Sequence, residues 1–284
     1  MPRDPAALAR ELLGSTPDRI QPVVVWSDRS THRVEIGAER FVVKTDDDLR
    51  TVARESTGQL RAAAAGVRVP EIVAVTEDSF AMRWVDGVTL TDLLAPDAWR
   101  DTGAQLRLAH DLGGEPPFGT GFGGFEPEQP TWRKFFEAFA ERMLADGERD
   151  LDFPADSAAR IRDALRAAAP LLDAPHLAWC HGDFQPDHVL MDPVTNRVVA
   201  IIDWADNGSG DAGWDVCVLT IDHNEYRNAF LDGYEASTEL RAALDQLLPL
   251  YAVVRLLGSA GWLAEHHHPL MAEHLRRALE WRMP

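Results

Sequence analysis

The stretch Cys180-His181-Gly182-Asp183-Phe184-Gln185-Pro186-Asp187-His188-Val189-Leu190, followed by Ala200-Ile201-Ile202-Asp203-Trp204, constrains this chain more than any other. Within 25 residues it holds a candidate base, two candidate metal-binding positions and two short apolar strands. Pro186 keeps the segment from Asp183 to His188 out of a regular helix, because its ring removes a donor and restricts φ. Val198 to Ile202 reads as a strand, with Asp203 at its exit. The pattern predicts a loop, a hairpin and an acid just beyond it. Phosphoryl transfer needs such a set, since its barrier falls mainly by aligning a hydroxyl with a γ-phosphate and neutralising charge on the phosphate oxygens. One acid orients the hydroxyl and others hold magnesium. A single acid near a turn has a plainer reading as a solvated group or a helix cap, and only the assembled set points to this chemistry.

These residues resemble the His-Gly-Asp loop and Ile-Asp-Trp segment of the aminoglycoside phosphotransferase family, distant relatives of protein kinases, and the resemblance spans nearly the whole chain. It implies an α+β, bilobal, protein-kinase-like fold. Residues 1–85 would form an N-terminal antiparallel β lobe with helices, residues 86–284 a larger, mainly helical lobe, and ATP or GTP would lie between them. The resemblance makes Asp183 the catalytic base, His188 and Asp203 the Mg2+ ligands, and Lys44 the phosphate-binding lysine. His188 stands where most relatives have Asn, which resembles macrolide and some aminoglycoside branches.

A chain of 284 residues with 45% hydrophobic composition has length and apolar content for one large domain or two lobes. Its net charge of −18 opposes nucleic acid and anionic lipid and would draw in a cationic small-molecule acceptor. Two separated cysteines, Cys180 and Cys217, suggest neither a disulfide framework nor a zinc site, so a reducing, cytoplasmic setting is expected. Met1 to Gly14 lacks a signal-type apolar segment, and no uninterrupted apolar run of spanning length occurs, so no membrane partner is expected.

Pro5 to Leu13 reads as a short amphipathic helix stopped by Gly14, and Val23–Trp26 and Arg40–Lys44 read as antiparallel strands. Between them a loop over 27–33 would cover the nucleotide phosphates, with Ser30 and Thr31 as hydroxyl donors. It lacks glycine, a departure from protein kinases. Lys44 closes its strand, and Glu55 lies in the helical run from Asp48 to Ala65, matching the order of the kinase lysine–glutamate pair. Strands over 72–75 and 79–85 follow. Here the resemblance makes the Arg83 carbonyl and Val85 N–H an adenine-facing hinge, with Met82 guarding the rear of the pocket.

Helices are expected near Thr91–Leu94, Asp97–Leu112, Thr131–Asp146 and Ala155–Ala169. The glycine-rich segment 118–125 follows a helix and lacks a lysine, so it reads as a connection beside the acceptor cleft and not as a phosphate loop. Asp211 and Asp215 resemble the family's helix-opening acids, which brace the catalytic loop. Only twelve positions separate Asp203 from Asp215, too few for a peptide-docking activation segment. Beyond Val216, helices are expected to break near Pro249, Gly258–Gly261 and Pro269. The functional expectation is an ATP- or GTP-dependent small-molecule O-kinase. An aminoglycoside or macrolide antibiotic is the first acceptor class. A metabolic kinase of choline, homoserine or sugar type, or an inactive nucleotide-binding module, are the alternatives.

Overall fold

The computed structural model describes residues 3–26, 28–122 and 129–281. Helix α1 (Pro5–Leu13) begins where the Asp4 carboxylate accepts the Ala6 and Ala7 N–H groups, and ends at left-handed Gly14. Strands β1 (Arg19–Val25), β2 (Arg29–Ile36) and β3 (Glu39–Asp46) precede helix α2 (Leu49–Ala64), and β4 (Ile72–Val75) and β5 (Ser79–Arg83) complete an antiparallel sheet of order β1-β2-β3-β5-β4. Leu8, Ala9 and Leu12 of α1 pack on Val34, Phe41, Val43 and Ala81, covering one face. On the other, Val52 of α2 packs with Phe80 and Met82. Alternation along β3 therefore gives Phe41 and Val43 to the α1 face, and Val42 and Lys44 to the α2 face.

The expected loop over 27–33 is corrected by this sheet. Ser27 lies outside the described residues, and from Arg29 the chain is strand, paired with β1 and β3. The buried members of its period-two pattern are Ser30, His32 and Val34, so two of three are polar and hydrophobic alternation did not reveal them.

After Arg83 come β6 (Val88–Thr89), α3 (Pro96–His110), α4 (Trp132–Asp150), α5 (Ala155–Ala167), α6 (Ala169–Leu172), β7 (Leu177–Cys180), β8 (Val189–Asp192), β9 (Arg197–Ile201), β10 (Gly208–Asp211), α7 (Ala212–Thr220), α8 (Arg227–Gly233), α9 (Thr238–Glu265) and α10 (Met271–Glu280). The short strands form two small sheets, β6-β8-β9 and β7-β10, set into a helical body. Its core includes Trp132, Phe136 and Phe139 of α4, Trp214 of α7 and Tyr251 of α9, with Trp214 edge-on to Phe139 at 5.7 Å. The helix expected at Thr91–Leu94 is a single tight turn over Leu90–Asp92. The glycine-rich segment is described only through Phe122, and its remainder lies outside the described residues.

Helix α9 corrects a second expectation. It runs through Pro249, Gly258 and Gly261 without a break. Its two ends of interruption are satisfied by packing. Trp281 Nε1 donates to the Pro249 carbonyl at 2.5 Å, and a Cβ on Gly258 would stand 2.9 Å from Met143 and Phe122, so this glycine permits close approach. Among the described residues α9 also has the length and apolarity to cross a membrane, which the absence of an uninterrupted apolar run concealed. However, 61% of its apolar window is buried within the protein, as in a core helix.

Candidate active site

The loop after β7 is held open by its neighbours. Gly182 has φ +89°, and a Cβ there would stand 2.0 Å from the Asp206 carbonyl oxygen, so neither the conformation nor the space admits a side chain. Asp215, buried on α7, accepts the His181 N–H at 2.7 Å and the Gly182 N–H at 2.9 Å. His110 Nε2 lies 2.9 Å from the same carboxylate, with the Tyr234 hydroxyl 2.8 Å from His110 Nδ1. Asp211 caps α7 through the Gly213 N–H and accepts from Tyr251. Both acids thus support the loop as expected. Asp215→Ala would leave two buried N–H groups and a histidine unpaired, and is expected to cost about 3–5 kcal/mol of stability, read from the denaturant midpoint. A loss under about 0.5 kcal/mol would show that this carboxylate does not brace the loop.

One run of charged groups crosses the cleft between sheet and helical body. Lys44 Nζ lies 2.5 Å from Glu55 Oε1 and 3.2 Å from Asp203 Oδ1. The other Asp203 oxygen is 3.4 Å from His188 Nε2. His188 Nδ1 lies 2.8 Å from the Asp183 carbonyl oxygen, which only accepts, so Nδ1 carries the proton and the Nε2 lone pair faces Asp203. Gln185 Nε2 donates to Asp183 Oδ1 and Oδ2, at 3.0 and 2.9 Å, and Arg255 Nη2 donates to Asp183 Oδ1 at 2.5 Å. Lys44, Glu55, Asp183, His188 and Asp203, expected from distant parts of the sequence, are therefore brought into one site.

Burial and charge compete at each group. Burial alone would lower the Lys44 ammonium, but Asp203 and Glu55 outweigh it and hold Lys44 above its ordinary value. Burial pushes Glu55 up against the pull of Lys44. For Asp203, the Lys44 ammonium, joined by His188 when that imidazole is protonated, overcomes burial and holds the carboxyl well below the usual range. Burial would raise Asp183, and Arg255 with His188 reverses this. Two ionised carboxylates and an imidazole lone pair so arranged suit a divalent cation, the imidazole being oriented through its other nitrogen. His188 Nε2 and Asp203 are the donors that fit Mg2+.

The remaining expected residues divide. Register places Thr31 opposite Lys44, on the same face and at the cleft wall. Ser30 pairs with Thr45, and its hydroxyl is shared with Thr45 Oγ1 at 3.0 Å, though both residues border the cleft. Met82, opposite Val42, faces the same side as Lys44 and packs with Val52 and Phe80. The Arg83 side chain pairs with Glu39 and lies 5.1 Å from the Phe41 ring, and its N–H donates to the Glu71 carbonyl at 2.8 Å. Val85 N–H has no hydrogen-bond partner among the described residues. The cleft, about 1150 Å³, is lined by Thr31, Lys44, Glu55, Phe80, Asp183 and Arg255 among others, and does not extend to Met82, Arg83 or Val85.

Three site residues were missed in the sequence. Gln185 is one residue of the singled-out loop without an assigned role. Arg255 lies inside α9, between Pro249 and Gly258, where the sequence predicts breaks. Asp206 lines the cleft, and burial together with the charges of Asp183 and Asp203 pushes it up to about 7. Only its position three residues after Asp203 hinted at it.

Comparison with known proteins follows this geometry. Residues 20–257 match the model of the phosphotransferase enzyme family. Aminoglycoside 3'-phosphotransferase of Streptomyces fradiae is 29% identical over 191 residues, spanning 60% of this chain and 68% of that protein. Among solved structures, the streptomycin–ATP complex of APH(2'')-IIa superposes with a TM-score of 0.70 at 15% identity, over 99% of this chain and 97% of that one. A choline/ethanolamine kinase family protein from Mesorhizobium loti superposes with a TM-score of 0.68 at 18% identity, over 96% and 90%. At these identities the superpositions speak for a shared kinase-like fold, whereas the family match runs through the sheet, the loop of Asp183 and most of α9. On that match, the chain belongs to the phosphotransferase enzyme family and is a small-molecule phosphotransferase.

Proposed function

We propose that this protein is an ATP- or GTP-dependent O-kinase that moves the γ-phosphoryl group onto a hydroxyl of a small molecule. The carrying observation is the unbroken run Lys44, Asp203, His188, Asp183 along one cleft. Residues 1–85 would hold the nucleotide and residues 86–284 the acceptor. Lys44, fixed by Glu55, would bind phosphate oxygens, with Thr31 and Ser30 near them. The Arg83 carbonyl and unpaired Val85 N–H would meet the adenine edge, with Met82 behind it. Asp183 would orient the acceptor hydroxyl and take its proton. The acceptor oxygen forms a bond to the γ-phosphorus, the bond to the β–γ bridging oxygen breaks, and nucleoside diphosphate leaves with that electron pair. Magnesium, when held by Asp203 and His188, supplies charge neutralisation on the phosphate oxygens.

For the acceptor, identity to aminoglycoside 3'-phosphotransferase supports an aminoglycoside first, with a macrolide as the related antibiotic class. A non-cationic metabolic acceptor is supported by a different observation: an arginine, Arg255, pairs with Asp183 and lines the cleft. Diphosphate release with ATP and GTP, against panels of aminoglycosides, macrolides, choline and sugars, tests the function. Turnover with none of these, in a protein that binds no nucleotide, would overturn it.

His188 gives a prediction of its own. An imidazole nitrogen is softer than the oxygen donors magnesium prefers, and suits manganese. Burial would lower its proton affinity, but Asp203 and Asp183 outweigh burial and raise it above the ordinary value. Protons therefore compete for Nε2 as pH falls through that raised value, and activity falls with it. His188→Asn is expected to keep substantial magnesium-supported activity, lose manganese preference and flatten the acid limb. Superimposable pH profiles with both metals would remove His188 from the metal site.

A further inference from the structure

We infer that the acceptor carries a carboxylate beside the hydroxyl it offers, and that Arg255 and His274 form the subsite that holds it. This rests on the phosphotransferase reading of the cleft and names its acceptor class. Arg255 is 7% exposed. Its Nη2 pairs with Asp183 Oδ1 at 2.5 Å, while its Nη1 is buried with no hydrogen-bond partner among the described residues. The guanidinium lies 3.8 Å from the Phe122 ring centroid, which limits its freedom to turn toward water. A buried guanidinium nitrogen without an acceptor is costly, and a ligand oxygen relieves that cost.

The space for such a ligand is present. A side cavity of about 190 Å³ adjoins the loop of Asp183 and is lined by Gln185, Asp222, Arg255, Ser259 and His274 among others. These five residues also line the main cleft, so the two spaces share a wall that includes Gln185 and Arg255, the two side chains that contact Asp183. Gln185 is the residue whose amide contacts both Asp183 oxygens. Lys44, His188 and Asp203 are absent from the side cavity's lining, as is every residue of the five-stranded sheet, so it lies on the acceptor side of the base. His274 contributes a second buried, unpartnered atom, Nδ1. Burial and Arg277 hold its imidazole below the ordinary value, and in the neutral form one ring nitrogen still carries an N–H that can be presented to an anion.

The unpartnered atoms select the ligand. Asp222 pairs with Arg277 at 2.5 Å and Asp187, whose charge a hydroxyl does not cancel, accepts from Thr91 at 2.5 Å, so the buried side-chain atoms of this cavity's lining left without a partner among the described residues are Arg255 Nη1 and His274 Nδ1. In the main cleft Asp146 and Asp150 are bridged by Arg149. A polycation would meet an arginine on this side of Asp183. Because the Arg255 charge is shared with Asp183, the site suits a monoanion better than a doubly charged phosphate ester. A planar carboxylate can accept from Nη1 with one oxygen and from His274 with the other.

The test is binding to the whole protein loaded with a non-hydrolysable ATP analogue. Isothermal titration would compare small hydroxy acids such as glycerate and 4-hydroxybutyrate with their amides, their amino-alcohol counterparts and their phosphate esters. Wild type is expected to prefer the acid over the amide by about tenfold or more, the value of one charge-assisted bond. Arg255→Met should abolish that preference, Arg255→Lys should restore part of it, and His274→Phe, remote from the Asp183 ion pair, should reduce it. Acid and amide are compared at saturating analogue in every variant, and analogue affinity should stay unchanged in His274→Phe. Equal binding of acid and amide, preference for amines or phosphate esters, or a carboxylate preference that survives both Arg255→Met and His274→Phe would overturn the inference while leaving the kinase reading intact. Failure of wild type to bind the nucleotide analogue would overturn both. If Arg255→Met does not fold, the lysine and phenylalanine variants carry the same comparison.

Discussion

Asp183→Asn is expected to lower turnover by about 10²–10⁴-fold while nucleotide affinity stays close to wild type. The swap keeps the shape of the side chain and removes the charge that would accept the hydroxyl proton. Lys44, Glu55 and Asp203, the groups assigned to the phosphates, keep their mutual contacts at 2.5 and 3.2 Å. The variant also deprives buried Arg255 of its only ion-pair partner among the described residues, so stability should fall by about 1–3 kcal/mol. Turnover must therefore be measured where circular dichroism shows a fully folded variant. Retention of more than about a third of wild-type turnover would remove Asp183 from the role of base.

The second large effect is expected at Asp203. It leaves β9 with φ +66°, a left-handed conformation in which asparagine is among the best tolerated non-glycine residues. Asp203→Asn is therefore the variant that isolates charge from backbone strain. Lys44 would still be held by Glu55. The expected outcome is a loss of about 100-fold or more in magnesium-dependent nucleotide affinity, with little change in metal-free nucleotide binding, because among the described residues the carboxylate is the only anionic donor beside His188 Nε2. Isothermal titration with and without magnesium checks this. Equal magnesium-dependent affinity in variant and wild type would place the metal elsewhere.

Local chemistry made the loop of Asp183 legible. His-Gly-Asp, Pro186 and the acid after a short apolar strand each act over a few residues, and their order alone announced a kinase-like site. Helix α1 was equally plain, since Asp4, Pro5 and Gly14 punctuate it at both ends. The meeting of Lys44, Glu55, Asp203 and Asp183 could be expected from order, but its geometry depends on folding the sheet over the helical body. Strand β2 escaped because its buried face is made of Ser30, His32 and Val34, whose burial follows from neighbours on both sides and not from hydrophobicity. Arg255 escaped for a related reason. Pro249 and Gly258 are local breakers, yet Trp281, Met143 and Phe122 supply contacts that carry α9 through them and set Arg255 against Asp183. Propensity is summed over adjacent residues, whereas the environment of a charged group in the cleft is summed over space. For that reason the reaction class was readable from the chain, and the charge facing the acceptor was decided only by tertiary packing.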